Sequence, residues 1–390
     1  MKSRHLIGIL SLALLLAACG RNTENIKPPH ELKDFTPSLA VKSLWTSSVG
    51  RGADDSGVRM RPAFEDGAIY AASVDGYMKA IDATSGRTLW QKTRPWRPKE
   101  DTSFAGGPAV ADGVLAIGTL DGNVYTYEAK SGNRLWQTNV GASILSPPVF
   151  AEELLLVRTD NGKITALKRA DGSRAWVYDQ STIPTLTLRG NSNLVVSHGV
   201  VFFGSDDGKM LAIRLDNGKP LWEQALSQQQ GRTEIERLDD SDGQLVLANS
   251  SLYAAAYHGH LVAMDARDGR ALWDHPFSSY VGLALGGNTI VGIDDASDVW
   301  AFSTDGGGNL WKQDGLEWRW LGTPAVQGDH VVVGDREGYV HWLKLSDGSF
   351  AARTRMTHEA IRSQPLVLGD GRVVIEDVRG NISCWQVGKP

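Results

Sequence analysis

The stretch that decides the fold is YMKAIDATSGRTLW (residues 77–90), because variants of it recur along the chain. Each ends in Gly-x-x-x-Trp, and the further copies are VYTYEAKSGNRLW (124–136), ITALKRADGSRAW (164–176), MLAIRLDNGKPLW (210–222), LVAMDARDGRALW (261–273) and VWAFSTDGGGNLW (299–311). A seventh copy, VHWLKLSDGSF (340–350), is expected to place Phe350 at the tryptophan position. Self-similarity at this period predicts a repeat architecture.

Each repeat has the pattern of a four-stranded antiparallel unit. In the second copy, GVLAIGT (113–119) and NVYTYEA (123–129) are apolar runs separated by Asp121-Gly122. Ser131-Gly132 then leads into the tryptophan run, and GGPAV (106–110) precedes the first run as a further short strand. Glycine supplies the positive φ that tight hairpin turns need. Four antiparallel strands per repeat predict a blade of a β-propeller.

The central turn of each unit can be counted around the chain. It falls at Asp75-Gly76, Asp121-Gly122, Asn161-Gly162, Asp207-Gly208, His258-Gly259, Ser297-Asp298, Glu337-Gly338 and Arg379-Gly380. The sequence therefore predicts an all-β fold, an eight-bladed β-propeller.

The last blade lacks a fourth strand within its own repeat, because the chain ends at Pro390. SLWTSSVG (43–50) has the pattern of a fourth strand with no blade before it. We therefore expect the N-terminal strand, with Trp45, to complete the blade that contains Cys384 and Trp385. This closure would leave no open sheet edge.

The repeated tryptophans are interpreted as architectural. One tryptophan in nearly every blade is expected to pack between neighbouring blades, with its indole N–H bonded to a backbone acceptor. A ligand-binding aromatic stripe is the alternative, but such a stripe need not recur in every blade.

The N-terminus is typical of a lipoprotein signal. Lys2, Arg4 and His5 precede LIGILSLALLL (6–16), an apolar run too short for a comfortable membrane span. Ala17-Ala18-Cys19 then resembles the bacterial lipobox, which implies lipidation of Cys19, and Gly20 in place of aspartate favours the outer membrane. We expect a signal peptide at 1–18, a flexible lipidated tether at 19–37 and the propeller at 38–390.

Composition gives no indication of nucleic-acid binding or of a disulfide in the ring. A net charge of −5 and the lack of a basic stripe give no indication of nucleic-acid binding. Cys384 is the only cysteine of the ring, since Cys19, expected to be lipidated, lies in the tether, so no disulfide is expected within the ring, and Cys384 is interpreted as a buried apolar residue.

The blade pattern also resembles that of pyrroloquinoline-quinone alcohol dehydrogenases, which are enzymes built on an eight-bladed ring. Those enzymes hold quinone and calcium at the ring axis and pack a vicinal disulfide on the quinone, which this chain cannot supply. His258 and His260 could share a strand face and a metal, but His258 occupies a turn position. Residues 240–243 (DSDG) lack the further ligands of a calcium loop. No catalytic residue, cofactor or metal is expected.

Insertions mark where the scaffold is adapted. The repeat positions 90, 136, 176, 222, 273, 311 and 350 are separated by 46, 40, 46, 51, 38 and 39 residues. The excess follows Trp90, Trp176 and Trp222, in connections that emerge on one face of the ring. The segments after Trp176 and Trp222 should therefore be neighbours, and long loops on a rigid scaffold commonly bind partners.

These two segments have the chemistry of a protein contact. Leu186 and Leu188 lie in a polar loop beside Arg189, and Asp240 and Asp242 make the other segment acidic. In the alternative interpretation, the leucines fold back onto the blade and Arg189 pairs with Asp240 or Asp242 within the chain.

Taken with the lipobox and eight repeats, PTLTLRGNS (184–192) and TEIERLDDSD (233–242) resemble the BamB family of outer-membrane assembly lipoproteins. The resemblance implies a non-catalytic scaffold that docks on the periplasmic POTRA domains of BamA through Leu186, Leu188, Arg189, Asp240 and Asp242. It also implies indirect association with the other assembly lipoproteins, and unfolded outer-membrane proteins as further partners. A periplasmic quinoprotein-like dehydrogenase or ligand-binding propeller is the alternative.

Overall fold

The computed structural model describes residues 27–388, except 55, 59, 94–102, 180–192, 206, 227–244 and 258. The strands of the described residues are short and follow one another along the chain. They are β1 (Ala40–Ser48), β2 (Ala63–Glu65), β3 (Ala68–Ala72), β4 (Met78–Asp82), β5 (Thr88–Lys92), β6 (Phe104–Ala111), β7 (Val114–Thr119), β8 (Asn123–Glu128), β9 (Arg134–Asn139), β10 (Val149–Ala151), β11 (Leu154–Arg158), β12 (Ile164–Lys168), β13 (Arg174–Tyr178), β14 (Val195–Ser197), β15 (Val200–Gly204), β16 (Lys209–Arg214), β17 (Pro220–Ala225), β18 (Val246–Ala248), β19 (Ser251–Ala255), β20 (His260–Asp265), β21 (Ala271–Pro276), β22 (Leu283–Gly286), β23 (Thr289–Ile293), β24 (Val299–Ser303), β25 (Asn309–Gln313), β26 (Ala325–Gln327), β27 (His330–Gly334), β28 (Tyr339–Lys344), β29 (Phe350–Arg355), β30 (Leu366–Val367), β31 (Val373–Glu376) and β32 (Asn381–Gly388).

These strands form eight four-stranded antiparallel sheets, as expected for an eight-bladed propeller. Blades 1 to 7 are the successive sets β2–β5, β6–β9, β10–β13, β14–β17, β18–β21, β22–β25 and β26–β29, and blade 8 has the order β30-β31-β32-β1. The first strand of each blade faces the ring axis, and the predicted central turns join the second and third strands. The predicted fold is confirmed.

The ring closes through its two chain ends. β1 pairs antiparallel with β32, from Ala40 opposite Gly388 to Ser48 opposite Asn381. Trp45 lies in the blade that contains Cys384 and Trp385, as predicted, and its direct partner is Cys384. Blade 8 therefore has four strands although its own repeat supplies only three, and no open edge separates the chain ends.

The repeated tryptophans join consecutive blades. Each donates its indole N–H to a backbone carbonyl of the next blade, such as Trp176 to Leu215 O at 2.8 Å. The equivalent bonds are Trp45 to Ala83, Trp90 to Ala129, Trp136 to Arg169, Trp222 to Ala266, Trp273 to Thr304 and Trp311 to Leu345. The motif glycine of the next repeat packs against the indole of this tryptophan: a Cβ added at Gly218 would lie 2.5 Å from the Trp176 side chain. The motif is thus an inter-blade contact, as predicted.

In blade 7 the predicted role of Phe350 is wrong. The residue four after Gly348 is Ala352, and it lies opposite Trp342, whereas Trp311 lies opposite Ala301 in blade 6. The large and small residues are exchanged across the strand pair. In the other blades, a turn with the motif glycine joins the third and fourth strands and covers the tryptophan of the preceding blade. In blade 8 the third and fourth strands are β32 and β1, and no turn joins them. A tryptophan at position 352 would therefore have no glycine turn to pack against.

Phe350 instead contacts the N-terminal segment. Its ring stacks on Phe35 at 5.4 Å, and Leu32 packs against the core between blades 6 and 7. The Arg353 guanidinium donates to Lys33 O at 2.9 Å. Residues 27–37, assigned above to the tether, therefore lie against blade 7. The part of the chain that the structure describes contains no helix long and apolar enough to cross a membrane.

Candidate interaction face

One face of the ring carries the connections between blades. Because each blade is an up-and-down meander, every link from an outer strand to the next inner strand emerges on the side of the central turns. We term this side the connection face. Its links span 49–62, 93–103, 140–148, 179–194, 226–245, 277–282, 314–324 and 356–365.

The side chains predicted to dock a partner, Leu186, Leu188, Arg189, Asp240 and Asp242, lie outside the described residues, as do Cys19 and His258. The structure does define where their segments leave and rejoin the ring. One segment links β13 to β14 and the other links β17 to β18, so both start and end on the connection face of blades 3 to 5.

The two segments rejoin the ring side by side. The backbone N–H of Leu245 donates to Asn193 Oδ1 at 3.0 Å, across 52 residues of sequence. The neighbouring Leu194 is buried in the core between blades 3 and 4, and Leu245 in the core between blades 4 and 5. The expected proximity of the insertions therefore holds at their C-terminal ends. A partner that binds one segment there would lie next to the other.

The axis of the ring holds a cavity of about 580 Å³. Its lining is mainly apolar and rich in proline, with Arg61, Asn193 and Gln364 as polar side chains and no carboxylate among the described lining residues. Calcium requires oxygen ligands, chiefly carboxylates and carbonyls, so this lining is a poor match to the calcium–quinone site of the dehydrogenases.

Of the two histidines considered as metal ligands, only His260 lies within the described residues, and it has a carboxylate partner. His260 Nδ1 lies 2.7 Å from Asp274 Oδ2 on the neighbouring strand. Within the described ranges, no three His, Cys, Asp or Glu side chains are grouped closely enough to share a metal ion. Burial raises the pKa of the Cys384 thiol to about 11, so that it stays protonated and unreactive at neutral pH.

A buried ionic cluster lies under the connection face of blade 7. Arg319 Nε donates to Asp335 Oδ2 at 2.7 Å, and His341 Nε2 lies 3.0 Å from the same oxygen. Burial lowers the pKa of His341, so the neutral ring donates from Nε2 to the carboxylate. Burial acts to raise the pKa of Asp335, but His341 and Arg319 outweigh it and the net pKa is lowered. Arg319 also donates to His30 O at 2.9 Å, which fixes the N-terminal segment.

Next to this cluster, the link 314–324 presents two tryptophans that were not predicted as site residues. Trp320 is 49% exposed, and the Arg336 guanidinium lies 5.2 Å from its ring centroid. Trp318 has Lys27 Nζ at 4.1 Å from its ring centroid. A signal was available in the sequence: the central turn of blade 6 has no glycine, unlike the other seven, and the run WRW (318–320) falls in a link rather than a strand.

The chain is similar to proteins of one known family. The family model described as outer membrane protein assembly factor BamB matches residues 74–313 and 295–386. The BamB of Xanthomonas campestris pv. campestris is 38% identical over 93% of this chain and 89% of its own length. The BamB of Escherichia coli K12 is 35% identical over 98% of this chain and 99% of its own.

Solved structures agree on the architecture. The crystal structure of BamB from Moraxella catarrhalis superposes with a TM-score of 0.80 at 25% identity, covering 89% of this chain and 100% of that one. The quinohemoprotein alcohol dehydrogenase of Comamonas testosteroni reaches a TM-score of 0.71 at 13% identity, over 91% of this chain and 78% of that one. At that identity the dehydrogenase shares the fold alone.

Proposed function

Because the chain belongs to the BamB family of outer membrane protein assembly factors, we propose that it is a lipid-anchored scaffold that binds the POTRA domains of BamA. Family membership gives the chain a non-enzymatic role in outer-membrane protein assembly. In the proposal, the ring holds BamA at the periplasmic face of the outer membrane, where β-barrel proteins are inserted. Through BamA it associates with the other assembly lipoproteins, and it meets unfolded client proteins there.

One observation supports the docking site most directly. The Asn193–Leu245 hydrogen bond joins the C-terminal ends of the two insertions, so both rejoin the ring next to one another, as a shared docking site requires. A rigid ring suits a scaffold function, because a rigid platform binds without the cost of ordering its own backbone.

Each predicted residue has a distinct role in this docking. The planar Arg189 guanidinium suits a carboxylate or carbonyl of the partner, and Leu186 and Leu188 would exclude water around it. Asp240 and Asp242 would steer and orient the partner through their charge.

The test is binding of the isolated BamA POTRA domains to the purified ring. Arg189→Glu should weaken binding by at least about 30-fold, because it reverses a charge at the centre of the contact. Arg174→Glu is the matched control, since Arg174 is exposed on β13 of the same blade but not in a link. Asp240→Arg should weaken binding less than Arg189→Glu. Wild-type affinity in a folded Arg189→Glu protein would refute this docking site.

The anchor is proposed at Cys19. The described chain starts on the connection face, where Lys27 Nζ lies over the Trp318 ring, and the proposed docking segments leave the ring on the same face. Cys19→Ser should release a folded soluble ring, because a lipidated cysteine supplies the stable attachment. Retention of this variant in membranes after depletion of BamA would contradict a single anchor.

A further inference from the structure

A second pocket on the connection face is lined by residues of the links 49–62, 277–282, 314–324 and 356–365, not by the links that carry the docking segments. It has a volume of about 350 Å³, and its lining includes Tyr280, Val281, Trp320, Leu321 and Arg362. Val281 and Leu321 form a buried apolar floor, while the ring of Trp320 is half exposed. Arg362 is exposed at the rim, and its guanidinium makes no ion pair within the described part of the chain. The pocket thus combines an aromatic wall with an available cation.

The backbone that presents the tryptophans is strained. Trp318 and Trp320 have φ values of 58° and 52°, in the left-handed region that bulky L residues avoid. Five other non-glycine residues with positive φ lie in the tight turns between first and second strands, where a hairpin requires this conformation: Asp66, Asp112, Glu152, His198 and Asn249. Trp318 is the third residue of a turn that the Arg319 N–H closes onto Leu316 O at 3.2 Å, but no backbone hydrogen bond of this kind closes around Trp320 within the described residues. Burial does not compensate the strain at Trp320 either, since its side chain remains half in solvent.

A central turn is modified to hold this loop. Ser297 occupies, at φ 72°, the position where the other seven central turns have glycine. It is only 3% exposed, and its Oγ accepts the backbone N–H of Trp320 at 3.0 Å. The preceding carbonyl, Ala296 O, accepts the N–H of Trp318 at 2.7 Å. Glycine would suit the turn better but could not bond Trp320. Strained backbone conformations cluster at binding and active sites, and the positive φ of Ser297 lies at a residue that fixes the exposed ring of Trp320.

The same loop already binds an extended polypeptide on its other side. Lys27 lies over Trp318, the N–H of His30 donates to Glu317 O at 2.9 Å, and Arg319 donates to His30 O. An aromatic ring and a neighbouring arginine therefore hold the chain's own N-terminal segment. Trp320 and Arg362 repeat this combination on the pocket side.

We propose that this pocket binds an extended polypeptide segment that carries a large apolar side chain next to an acidic one. The apolar side chain packs on Trp320 and Tyr280, and the carboxylate pairs with Arg362. Only the source of the segment, a client of assembly, rests on the proposed function; the pocket chemistry does not.

The experiment measures fluorescence anisotropy of labelled ten-residue peptides, amidated at the C-terminus, with the full mature chain carrying Cys19→Ser. A peptide with a central Phe-Asp should bind at least about 5-fold more tightly than otherwise identical peptides with Phe-Asn or Ala-Asp. Trp320→Ala should weaken binding at least about 10-fold, and Arg362→Gln should abolish the preference for Asp over Asn. A peptide ending in free Phe, compared with its amide, shows whether a terminal carboxylate serves instead of the side chain; a preference confined to the terminal acid would overturn the proposed segment.

Ser297→Gly separates this role from a structural one. It should leave the melting temperature unchanged or higher, because glycine relieves the turn, yet weaken peptide binding at least about 3-fold, since Trp320 loses its anchor. Leu310→Ala is the control, because Leu310 is an equally exposed apolar side chain, 53% in solvent, on the outer strand β25.

Equal binding by wild type and Trp320→Ala, or an equal loss in Leu310→Ala, would overturn the proposal. POTRA binding by Trp320→Ala and Arg362→Gln should match wild type. A wild-type ring that binds the Phe-Asp peptide but not POTRA would refute the proposed docking function and leave the pocket assignment standing.

Discussion

Trp342 and Ala352 face each other across β28 and β29, and they reverse the arrangement found in the other seven blades. There, the tryptophan is on the outer strand and a small residue is opposite: Ala80 and Trp90, Thr126 and Trp136, Ala166 and Trp176, Ala212 and Trp222, Ala263 and Trp273, Ala301 and Trp311, and Cys384 and Trp45. Trp342 is fully buried, donates its indole N–H to Gln327 at 2.8 Å and meets Trp385 of blade 8. The pair β28–β29 thus also has one large side chain, but β28 supplies it instead of the outer strand β29. The reason is that blade 8 has no turn that could cover a tryptophan on β29.

Replacement of Trp342 should therefore be among the most damaging changes to the ring. Trp342→Ala removes a fully buried indole and leaves Gln327 Oε1 without its donor, at an expected cost of about 3–5 kcal/mol in the free energy of unfolding. Trp320→Ala, at a half-exposed ring, should cost less than about 1 kcal/mol. Chemical denaturation of both variants measures the difference. Equal losses would show that Trp342 is not an inter-blade contact of this weight.

Two glycines separate steric contact from backbone conformation. Gly218 and Gly199 have φ values of 70° and 73°, but a Cβ at Gly218 would meet Trp176 at 2.5 Å, whereas one at Gly199 would meet nothing within 4 Å. Gly199→Ala should cost about 1 kcal/mol from the left-handed backbone alone. Gly218→Ala should cost at least about 2 kcal/mol more, because the Trp176 ring must move. Denaturation midpoints that coincide for the two variants would contradict the inter-blade role of the motif.

Truncations from the N-terminus test closure in three steps, on chains that begin after residue 26, 37 or 49. The first should be as stable as the full mature ring without lipid. The second should lose about 1–3 kcal/mol, because it removes Phe35 from Phe350 and Leu32 from the core between blades 6 and 7. The third removes β1 and exposes the edge of β32, so it should not fold to a stable ring. Thermal melting followed by circular dichroism gives the order, and a stable third truncation would refute closure by β1.

Glu376 should make the ring less stable at alkaline pH. It is 2% exposed on β31, and its carboxyl oxygens have no hydrogen-bond partner within the described residues. Burial, with a smaller contribution from Asp377, raises the pKa of Glu376 to about 8, whereas the unfolded chain has a value of about 4.3. Because the folded pKa is the higher one, the protonated carboxyl favours folding, and this stability is lost as the pH rises from about 4.3 through about 8.

Glu376→Gln removes this titration. It should be close to wild type at pH 5 and more stable than wild type at pH 9, by roughly 2–4 kcal/mol. Urea denaturation at both pH values measures the effect. A constant difference between the two proteins across this range would show that the carboxyl does not titrate in the folded ring.

Whether a candidate site could be predicted from the sequence depends on how far apart its residues are along the chain. Leu186, Leu188, Arg189, Asp240 and Asp242 could be proposed from the sequence, because insertions and charge are read locally. The Trp320 pocket could not, since it depends on Ser297, 23 residues earlier, and on Arg362 from another link. Nor does any local pattern indicate that the chain near His30 would bond Arg319, 289 residues away.

The sequence by itself determined the ring, its eight blades, its closure by Trp45 beside Cys384 and the inter-blade role of the repeated tryptophans. These follow from turn residues, alternating apolar runs and a repeated motif, all of which are short-range signals. Only the tertiary structure decided the exchange of Trp342 and Ala352, the packing of residues 27–37 on blade 7, the meeting of Asn193 with Leu245 and the pocket at Trp320. Each of these is a contact between irregular segments or chain ends, where no repeat constrains the partner and packing in three dimensions selects it.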